Sequence, residues 1–308
     1  MARVSEDQPV PSAGTHRDRA ALPSEPVRTS MPRPSAEKAE ALATRLGFDV
    51  ADLDRNLATH QAQFRATAAK QVQSAVKGSK AGSAKLAAIL NAMSADAVFL
   101  SDSNAAPGSE FSSVNVPSKI FTNGGLQLDA TGIVSFDSFA KVIRPPSGSI
   151  DHQEVLFSFP YANTTTLDQV ITVNGVVGLN GVVGAGDDGG WTVFGHDHNT
   201  LQINAIMRMF ADTDDNQGLG LLVDSWPLLS IDAYEDSWPQ SVGAIVSQTI
   251  VRGTALGTSD VLVKAGHSRI FDIGFSFDSS PPGGNTSFDF SSGDFKVSGF
   301  GLFVHVTS

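Results

Sequence analysis

Two stretches, Ile270-Phe-Asp-Ile-Gly-Phe-Ser-Phe277 and Phe300-Gly-Leu-Phe-Val-His-Val306, decide the fold. In the first, large apolar residues alternate with small or polar ones, which is the pattern of a β-strand with one buried face. In the second, Phe303 stands on the face opposite Leu302 and Val304. We therefore predict that this last strand is covered on both faces or lies against another subunit.

Strand signals of the same kind recur along the second part of the chain, separated by turn-forming pairs such as Asn-Gly and Pro-Pro. The predicted strands are 133–139, 155–159, 170–173, 191–194, 201–210, 228–234, 244–251, 261–263, 270–277, 288–290 and 300–306. No amphipathic helix stands between them, which excludes a parallel βαβ layout. The prediction is a mainly β fold, an antiparallel β-sandwich of the jelly-roll type, over residues 119–308.

The composition changes sharply near residue 100. Of 24 aromatic residues (19 Phe, 3 Trp and 2 Tyr), only Phe48 and Phe64 precede residue 96. Residues 1–34 hold six prolines among scattered charges and are predicted to form a disordered arm. Residues 35–95 are predicted to form a helical docking or oligomerisation segment, and residues 96–118, rich in Ser, Asn, Pro and Gly, are predicted to form a linker.

The helical segment carries clear start and stop signals. Ser35 can cap a short helix that ends at Gly47, and Asp49 can cap a second one. The second helix has a narrow apolar stripe, made of Leu53, Leu57, Phe64, Val72 and Val76. Residues 77–83, Lys-Gly-Ser-Lys-Ala-Gly-Ser, predict a break and hence a helical hairpin. A stripe of this length needs a cover, so we predict self-association through it.

Charge is divided unequally along the chain. Residues 1–95 carry 13 basic and 9 acidic residues, a net of +4, whereas residues 96–308 carry 8 and 23, a net of −15. The β region is therefore an unfavourable surface for nucleic acid. From Gln61 to Ala95 there are five basic residues and no acidic one. This contrast predicts contact between the helices and a sandwich, either the chain's own or a neighbour's.

The chain has no cysteine, which excludes disulfides, thiolate metal sites and a cysteine nucleophile. We find neither a secretory signal peptide nor an apolar run long enough to span a membrane. The expectation is a protein made in soluble form, with its compartment left open.

A tetrapeptide occurs twice, as Asp224-Ser-Trp-Pro227 and Asp236-Ser-Trp-Pro239. Trp226 and Trp238 could stack on a sugar ring while Asp224 and Asp236 accept hydroxyl hydrogen bonds, so these four residues are the candidate ligand site. The structural alternative is that each tetrapeptide ends a strand and that its indole closes one end of the sandwich.

His196-Asp-His198 places two imidazoles on one face of a predicted strand, within reach of one metal ion. With Gly190 and Gln202, the pair resembles the first motif of the cupin family, Gly-x5-His-x-His-x3-Glu. The resemblance covers about thirteen residues, Gln202 replaces the glutamate ligand, and no second motif follows at His267. It implies a divalent transition metal supporting dioxygenase or isomerase chemistry; a surface histidine pair is the alternative.

A second candidate metal site is an acidic loop. Asp212, Asp214 and Asn216 supply oxygen donors at positions 1, 3 and 5 of a Ca²⁺-binding loop. However, Gln217 replaces the expected glycine and Val223 the expected glutamate. A solvated acidic turn is the alternative, and no other cofactor is predicted.

A near-repeat, Val173-Asn-Gly-Val-Val-Gly178 followed by Leu179-Asn-Gly-Val-Val-Gly184, predicts a tight β-hairpin, with a mobile apolar loop as the alternative.

The sequence lacks a Gly-x-Ser-x-Gly elbow, a phosphate-binding loop, His-Glu-x-x-His and a dinucleotide fingerprint. This favours a non-enzymatic structural or binding protein, a β-sandwich subunit of a homo-oligomeric particle, fibre or surface-adhesion component. In layout it is similar to capsid, tail or lectin modules. The alternatives are a cupin-like metal-dependent enzyme and a stand-alone carbohydrate-binding module.

Overall fold

A computed structural model describes residues 36–103, 110–122, 127–134, 137–143, 152–186, 197–210, 220–235, 245–280 and 285–307. The helices within these ranges are α1 (Ala36–Arg45) and α2 (Val50–Ser103). The strands are β1 (Glu110–Val114), β2 (Lys119–Thr122), β3 (Gln127–Val134), β4 (Asp137–Ile143), β5 (His152–Ala162), β6 (Gln169–Gly186), β7 (Asp197–Phe210), β8 (Leu221–Glu235), β9 (Ile245–Val263), β10 (Ser268–Ser280), β11 (Asn285–Asp289) and β12 (Lys296–Val306).

From β4 to β12 the chain pairs like one long hairpin folded over on itself. β4 pairs with β12, β5 with β10, β6 with β9 and β7 with β8, always antiparallel. The outcome is a five-stranded sheet, in the order β2-β5-β10-β7-β8, and a seven-stranded sheet containing β6, β9 and β12. Nested pairing divided between two sheets is the jelly-roll arrangement, so the predicted mainly β, antiparallel fold is confirmed.

The main core lies between the two sheets. Alternate residues of each strand point inward, as the two-residue period of a strand requires. The largest side chains buried there belong to phenylalanines, namely Phe157, Phe159, Phe271, Phe275, Phe277, Phe288 and Phe290.

The predicted helix ends are confirmed at the start of the described chain. Gly47 adopts a φ of 85°, the left-handed conformation that closes α1 without a Cβ penalty. Asp49 caps α2, because its Oδ1 accepts a hydrogen bond from the Asp52 N–H at 3.1 Å.

The predicted helical hairpin is wrong. α2 is one helix of 54 residues and passes through residues 77–83 without a break. A Cβ at Gly82 would lie 2.7 Å from Asn180 Oδ1, so this glycine permits close approach of the helix to β6. The predicted linker 96–118 also needs correction: α2 continues to Ser103, and β1 already begins at Glu110. Helix-compatible residues 95–100 with no proline before Pro107 account for the longer helix.

The second half of α2 lies on the outer face of the seven-stranded sheet. Leu86 and Leu90 are buried against Val176, Phe300 and Phe303. Phe303 is only 2% exposed, so the strand that carries it is covered on both faces by its own chain. Of the two predicted possibilities, cover on both faces or contact with another subunit, the first is confirmed. The second face of β12 therefore needs no neighbouring subunit to bury it.

Polar contacts fix the position of the helix on this sheet. The Asn180 side-chain amide donates to the carbonyls of Ser79 and Asp294, each at 3.3 Å. The Ser79 hydroxyl in turn accepts the Asp294 N–H at 3.1 Å. Because these bonds are directional, they define where α2 sits along β6.

The hairpin predicted from the Asn-Gly repeats is wrong as well, because both repeats lie within the single strand β6. Their glycines make room on opposite faces of the strand. A Cβ at Gly178 would lie 2.7 Å from Leu86 Cδ1, and one at Gly175 would lie 2.8 Å from Ile273 Cγ2. A strand glycine of this kind marks close approach by a neighbour rather than a turn.

The predicted contact between helix and sandwich occurs within the chain, and the contacts described for it are uncharged. The described contacts are apolar side chains and neutral hydrogen bonds, whereas Lys77, Lys80 and Lys85 are exposed. All the described residues belong to one compact unit, Pro34–Ser308. The predicted arm, residues 1–34, lies outside the described residues.

Candidate functional site

The most highly charged arrangement that the structure describes lies on the outer face of the five-stranded sheet. On β10 the inward residues are phenylalanine and isoleucine, and the outward ones are Asp272, Gly274, Ser276 and Asp278. The same alternation puts polar residues outward on the two neighbouring strands, namely His152, Glu154 and Ser158 on β5 and Asn204 and Arg208 on β7.

Strand register brings these residues together although they are far apart in sequence. On β10, Asp272 stands opposite Ser158 and Arg208. At the other end of the group, Asp278 stands opposite His152. Cross-strand neighbours at these positions have their side chains close enough to interact.

A bidentate ion pair forms the centre of the group. Arg208 Nη1 and Nη2 donate to Glu154 Oε2 and Oε1 at 2.7 and 2.5 Å. On β10, Ser276 is paired with Glu154 and Asp272 with Arg208, and Gly274 lies between these two positions. The Arg208 guanidinium therefore reaches Glu154 across a position that has no side chain. Two parallel charge-assisted hydrogen bonds are among the stronger polar contacts available to a protein.

His152 extends the ion pair to a second carboxylate. Its Nε2 lies 2.9 Å from Glu154 Oε1, and its Nδ1 lies 2.5 Å from Asp278 Oδ1. The other oxygen of Asp278 accepts hydrogen bonds from the Ser276 hydroxyl at 3.0 Å and from the Asn204 amide at 3.3 Å. We call the residues His152, Glu154, Arg208 and Asp278 the clasp.

The surroundings separate the pKa values of two nearly buried carboxyl groups. Burial raises the pKa of Glu154, but the hydrogen bonds from Arg208 and His152 outweigh burial and bring that pKa below its usual range. Burial also raises the pKa of Asp272, and here the hydrogen bond from Ser158 does not reverse the effect. Glu154 therefore keeps its charge, while Asp272 binds a proton more readily than an ordinary aspartate.

The clasp can hold strands together and bind a proton. Ser158 donates to Asp272, and Ser276 donates to Asp278, whereas the described contacts of His152 are with carboxylates. The described residues around His152 thus include no serine hydrogen-bonded to this imidazole, the pairing that nucleophilic catalysis requires. Nor do they include a group of three or more His, Cys, Asp or Glu side chains placed to hold a metal ion.

The structure describes half of the predicted ligand site. Trp226 lies on β8 and is 58% exposed. The Asp224 carboxylate accepts hydrogen bonds from the backbone N–H groups of Ser225 at 2.8 Å and Gly257 at 3.0 Å. Asp224 therefore ties β8 to β9 across the open side of the sandwich.

The alternative in which this tetrapeptide ends a strand is wrong. Residues 224–227 lie inside β8, with a shift of register on each side of them. β8 is the last strand of the described five-stranded sheet, and an edge position tolerates Pro227, which has no N–H to donate. Asp236 and Trp238 lie outside the described residues, so the pairing of the two tryptophans stays a prediction.

The predicted metal ligands also fall largely outside the described residues. This holds for His196, Asp212, Asp214 and Asn216, while His198 is placed on β7, opposite Tyr234. Both metal sites therefore stay predictions.

No protein-family model matches the chain, and no curated protein matches it significantly. Among solved structures, it is similar to a CocE/NonD family hydrolase from Staphylococcus aureus, with 12% identity and a TM-score of 0.21. That match covers 65% of this chain and 37% of the hydrolase. At so low a TM-score it carries no argument about fold or function. In the described part of the chain, no helix has the length and apolar character needed to cross a bilayer.

None of the clasp residues was a sequence candidate. A signal was present, since Asp272, Gly274, Ser276 and Asp278 put small or polar residues at every second position, and polar residues also stand at 152, 154 and 158. Whether these polar positions lie next to each other depends on the order and register of the strands, and neither can be read from the sequence of one strand alone.

Proposed function

We propose that this chain is a non-enzymatic structural protein, a β-sandwich subunit of a homo-oligomeric particle, fibre or surface-adhesion component, and that copies associate through α2. One observation carries the proposal: the helix face that is seated on the sheet continues along the first half of α2, where the described sheet contacts do not reach.

The geometry of the helix supports this continuity. At 3.6 residues per turn, Leu53 and Val72 project within about 60° of the direction of Leu86. The side chains of Leu57 and Phe64, the other members of the predicted stripe in this half, lie outside the described ones. The described packing and hydrogen-bond contacts of α2 with the sandwich run from Val76, which lies near Gly293, to Met93. α2 as a whole is about 80 Å long, and its first 26 residues cover about 40 Å.

A long helix that relies on intrinsic propensity alone is only marginally stable in water and gains most of its stability from packing of an apolar face. A second copy of the chain can supply that packing, because the same stripe pairs with itself around a two-fold axis. Lys70, Lys77 and Lys80 project from the other side of the helix and are exposed. They would stay out of such a seam, so like charges need not meet there.

The molar mass of the full chain at micromolar concentration tests this function. We expect an oligomer for the wild type and a monomer for Leu53→Lys combined with Val72→Lys, because two buried charges in the seam cost several kcal/mol. Ala66→Lys is the matched control, since Ala66 is exposed and projects from the opposite side of α2. A monomeric wild type, or a double variant with unchanged mass, would contradict the proposal.

The exposure of Trp226 favours a second candidate function, carbohydrate binding. Leu221 and Leu222 are also exposed on β8, five and four residues before the indole. We expect binding on a glycan array that Trp226→Ala weakens about tenfold, through loss of stacking. Leu262→Ala, at an exposed leucine on β9, is the control. Absence of glycan binding by the wild type would end this candidate.

A further inference from the structure

We propose that the clasp is a proton-operated latch: protonated His152 ties the start of β5 to the end of β10, and loss of its proton loosens that corner of the five-stranded sheet. The proposal is independent of assembly through α2.

The hydrogen-bond partners of His152 require a proton on each of its ring nitrogens. Both ring nitrogens of His152 face carboxylate oxygens, at 2.5 Å from Asp278 and at 2.9 Å from Glu154. An ionised carboxylate only accepts hydrogen bonds, so both nitrogens must carry a proton for both contacts to be favourable. Neutral imidazole has a single N–H, and its remaining lone pair would point at a carboxylate oxygen.

Charged groups face His152 from its own strand and from β10, and Arg208 of β7 pairs with one of them. Glu154, on the same strand, has Arg208 of β7 as a second cationic partner. Asp278, on β10, receives neutral hydrogen bonds from Ser276 and Asn204, and its described ion pair is with His152. Deprotonation of His152 therefore leaves Glu154 compensated and Asp278 without its cation.

His152 and Asp278 form a cross-strand pair in the ladder between β5 and β10, the outermost pair among the described residues of β5. A side-chain contact across two paired strands limits local opening of the backbone hydrogen bonds beside it, whereas the Phe275 and Phe277 side chains stay held by the core.

The direction of the pH effect follows from these contacts. Burial lowers the pKa of His152, but the hydrogen bonds to Asp278 and Glu154 outweigh it, and the pKa lies above its ordinary value of about 6.5. A raised histidine pKa contributes stability that is complete below about pH 6.5 and is lost as pH rises through the folded-state value. The latch is therefore closed in mild acid and opens towards alkaline pH.

Histidine-selective NMR of the full-length wild type tests the latch directly. We expect the His152 resonance, assigned by its loss in His152→Gln, to titrate above pH 6.5. In the same samples, amide protection at residues 152–154 and 276–278 should fall about tenfold, after correction for intrinsic exchange, for each pH unit by which that pKa exceeds 6.5.

Two variants separate the latch from general pH effects. Asp278→Asn should bring the His152 pKa back towards 6.5 and shrink the pH dependence of protection, while His267→Gln, at an exposed histidine outside the clasp, should leave both as in the wild type. Titration of wild-type His152 at or below pH 6.5 would overturn the proposal even if neither variant folds. So would an Asp278→Asn protein in which His152 titrates as in the wild type.

Discussion

Gly274→Ala is expected to lower the free energy of unfolding by about 3 kcal/mol or more. A Cβ at this position would lie 1.9 Å from the Val155 carbonyl oxygen and 2.9 Å from Leu156 Cα. Both atoms belong to the backbone of β5, which cannot rotate out of the way as a side chain can. β5 and β10 would have to separate, and their ladder and the clasp above it would both be disturbed.

The measurement is equilibrium unfolding in denaturant, with the thermal midpoint as a second readout. For a domain of this size, a loss of about 3 kcal/mol corresponds to a fall in midpoint of roughly 10 °C. Gly78→Ala is the matched control, since a Cβ at Gly78 in α2 meets no atom within 4 Å. It should stabilise the protein by about 0.5–1 kcal/mol through helix propensity. A Gly274→Ala protein as stable as the wild type would contradict the described spacing of β5 and β10.

The strands were the part of the fold best predicted from sequence. The alternation in 270–277 and 300–306 identifies β10 and β12, because burial of one face forces a period of two. Predicted strand 170–173, in contrast, is only the beginning of β6, which runs on to Gly186. The sequence rule stopped the strand at its first Asn-Gly pair.

Glycine accounts for the two largest errors, and both concern the same interface. Residues 77–83 predicted a helix break, and the Asn-Gly repeats predicted a hairpin, because glycine usually marks a turn. In the structure Gly82 of α2 faces Asn180 of β6, and Gly178 of β6 faces Leu86 of α2. Each glycine makes room for the other element, and one segment alone cannot distinguish that role from a turn.

The clasp shows a different limit of sequence reasoning. Its members come from three strands, and residues 154 and 278 are brought together only by nested pairing. Residue type indicated outward-facing polar positions, but ion pairing across Gly274 depends on register. The exposed Trp226 beside Asp224 was a sequence candidate, because those two residues are neighbours in the chain.

We expect Leu86 of α2 and Gly178 of β6 to depend on each other's size, because they face each other in the contact. Leu86→Ala should lower the free energy of unfolding by about 3 kcal/mol, since Leu86 is fully buried between helix and sheet and its truncation leaves a cavity. Gly178→Ala should cost about 1–2 kcal/mol, because its new Cβ would lie 2.7 Å from Leu86 Cδ1. In the double variant the added methyl enters the space that the leucine vacates. The destabilisation of the double variant should therefore be smaller than the sum of the two single-variant costs, by about 1 kcal/mol or more.

Hydrogen exchange of α2 amides 79–93 measures the free energy of undocking, and the amides of the inner strands report whether the sandwich core stays folded. Pairing Leu86→Ala with Gly78→Ala is the control cycle, since Gly78 lies on the same helix but a Cβ there meets no neighbour. Additive costs are expected in that cycle. Additivity for Leu86 and Gly178 as well would show that the two positions do not touch, and the docking of α2 through the glycines of β6 would be refuted.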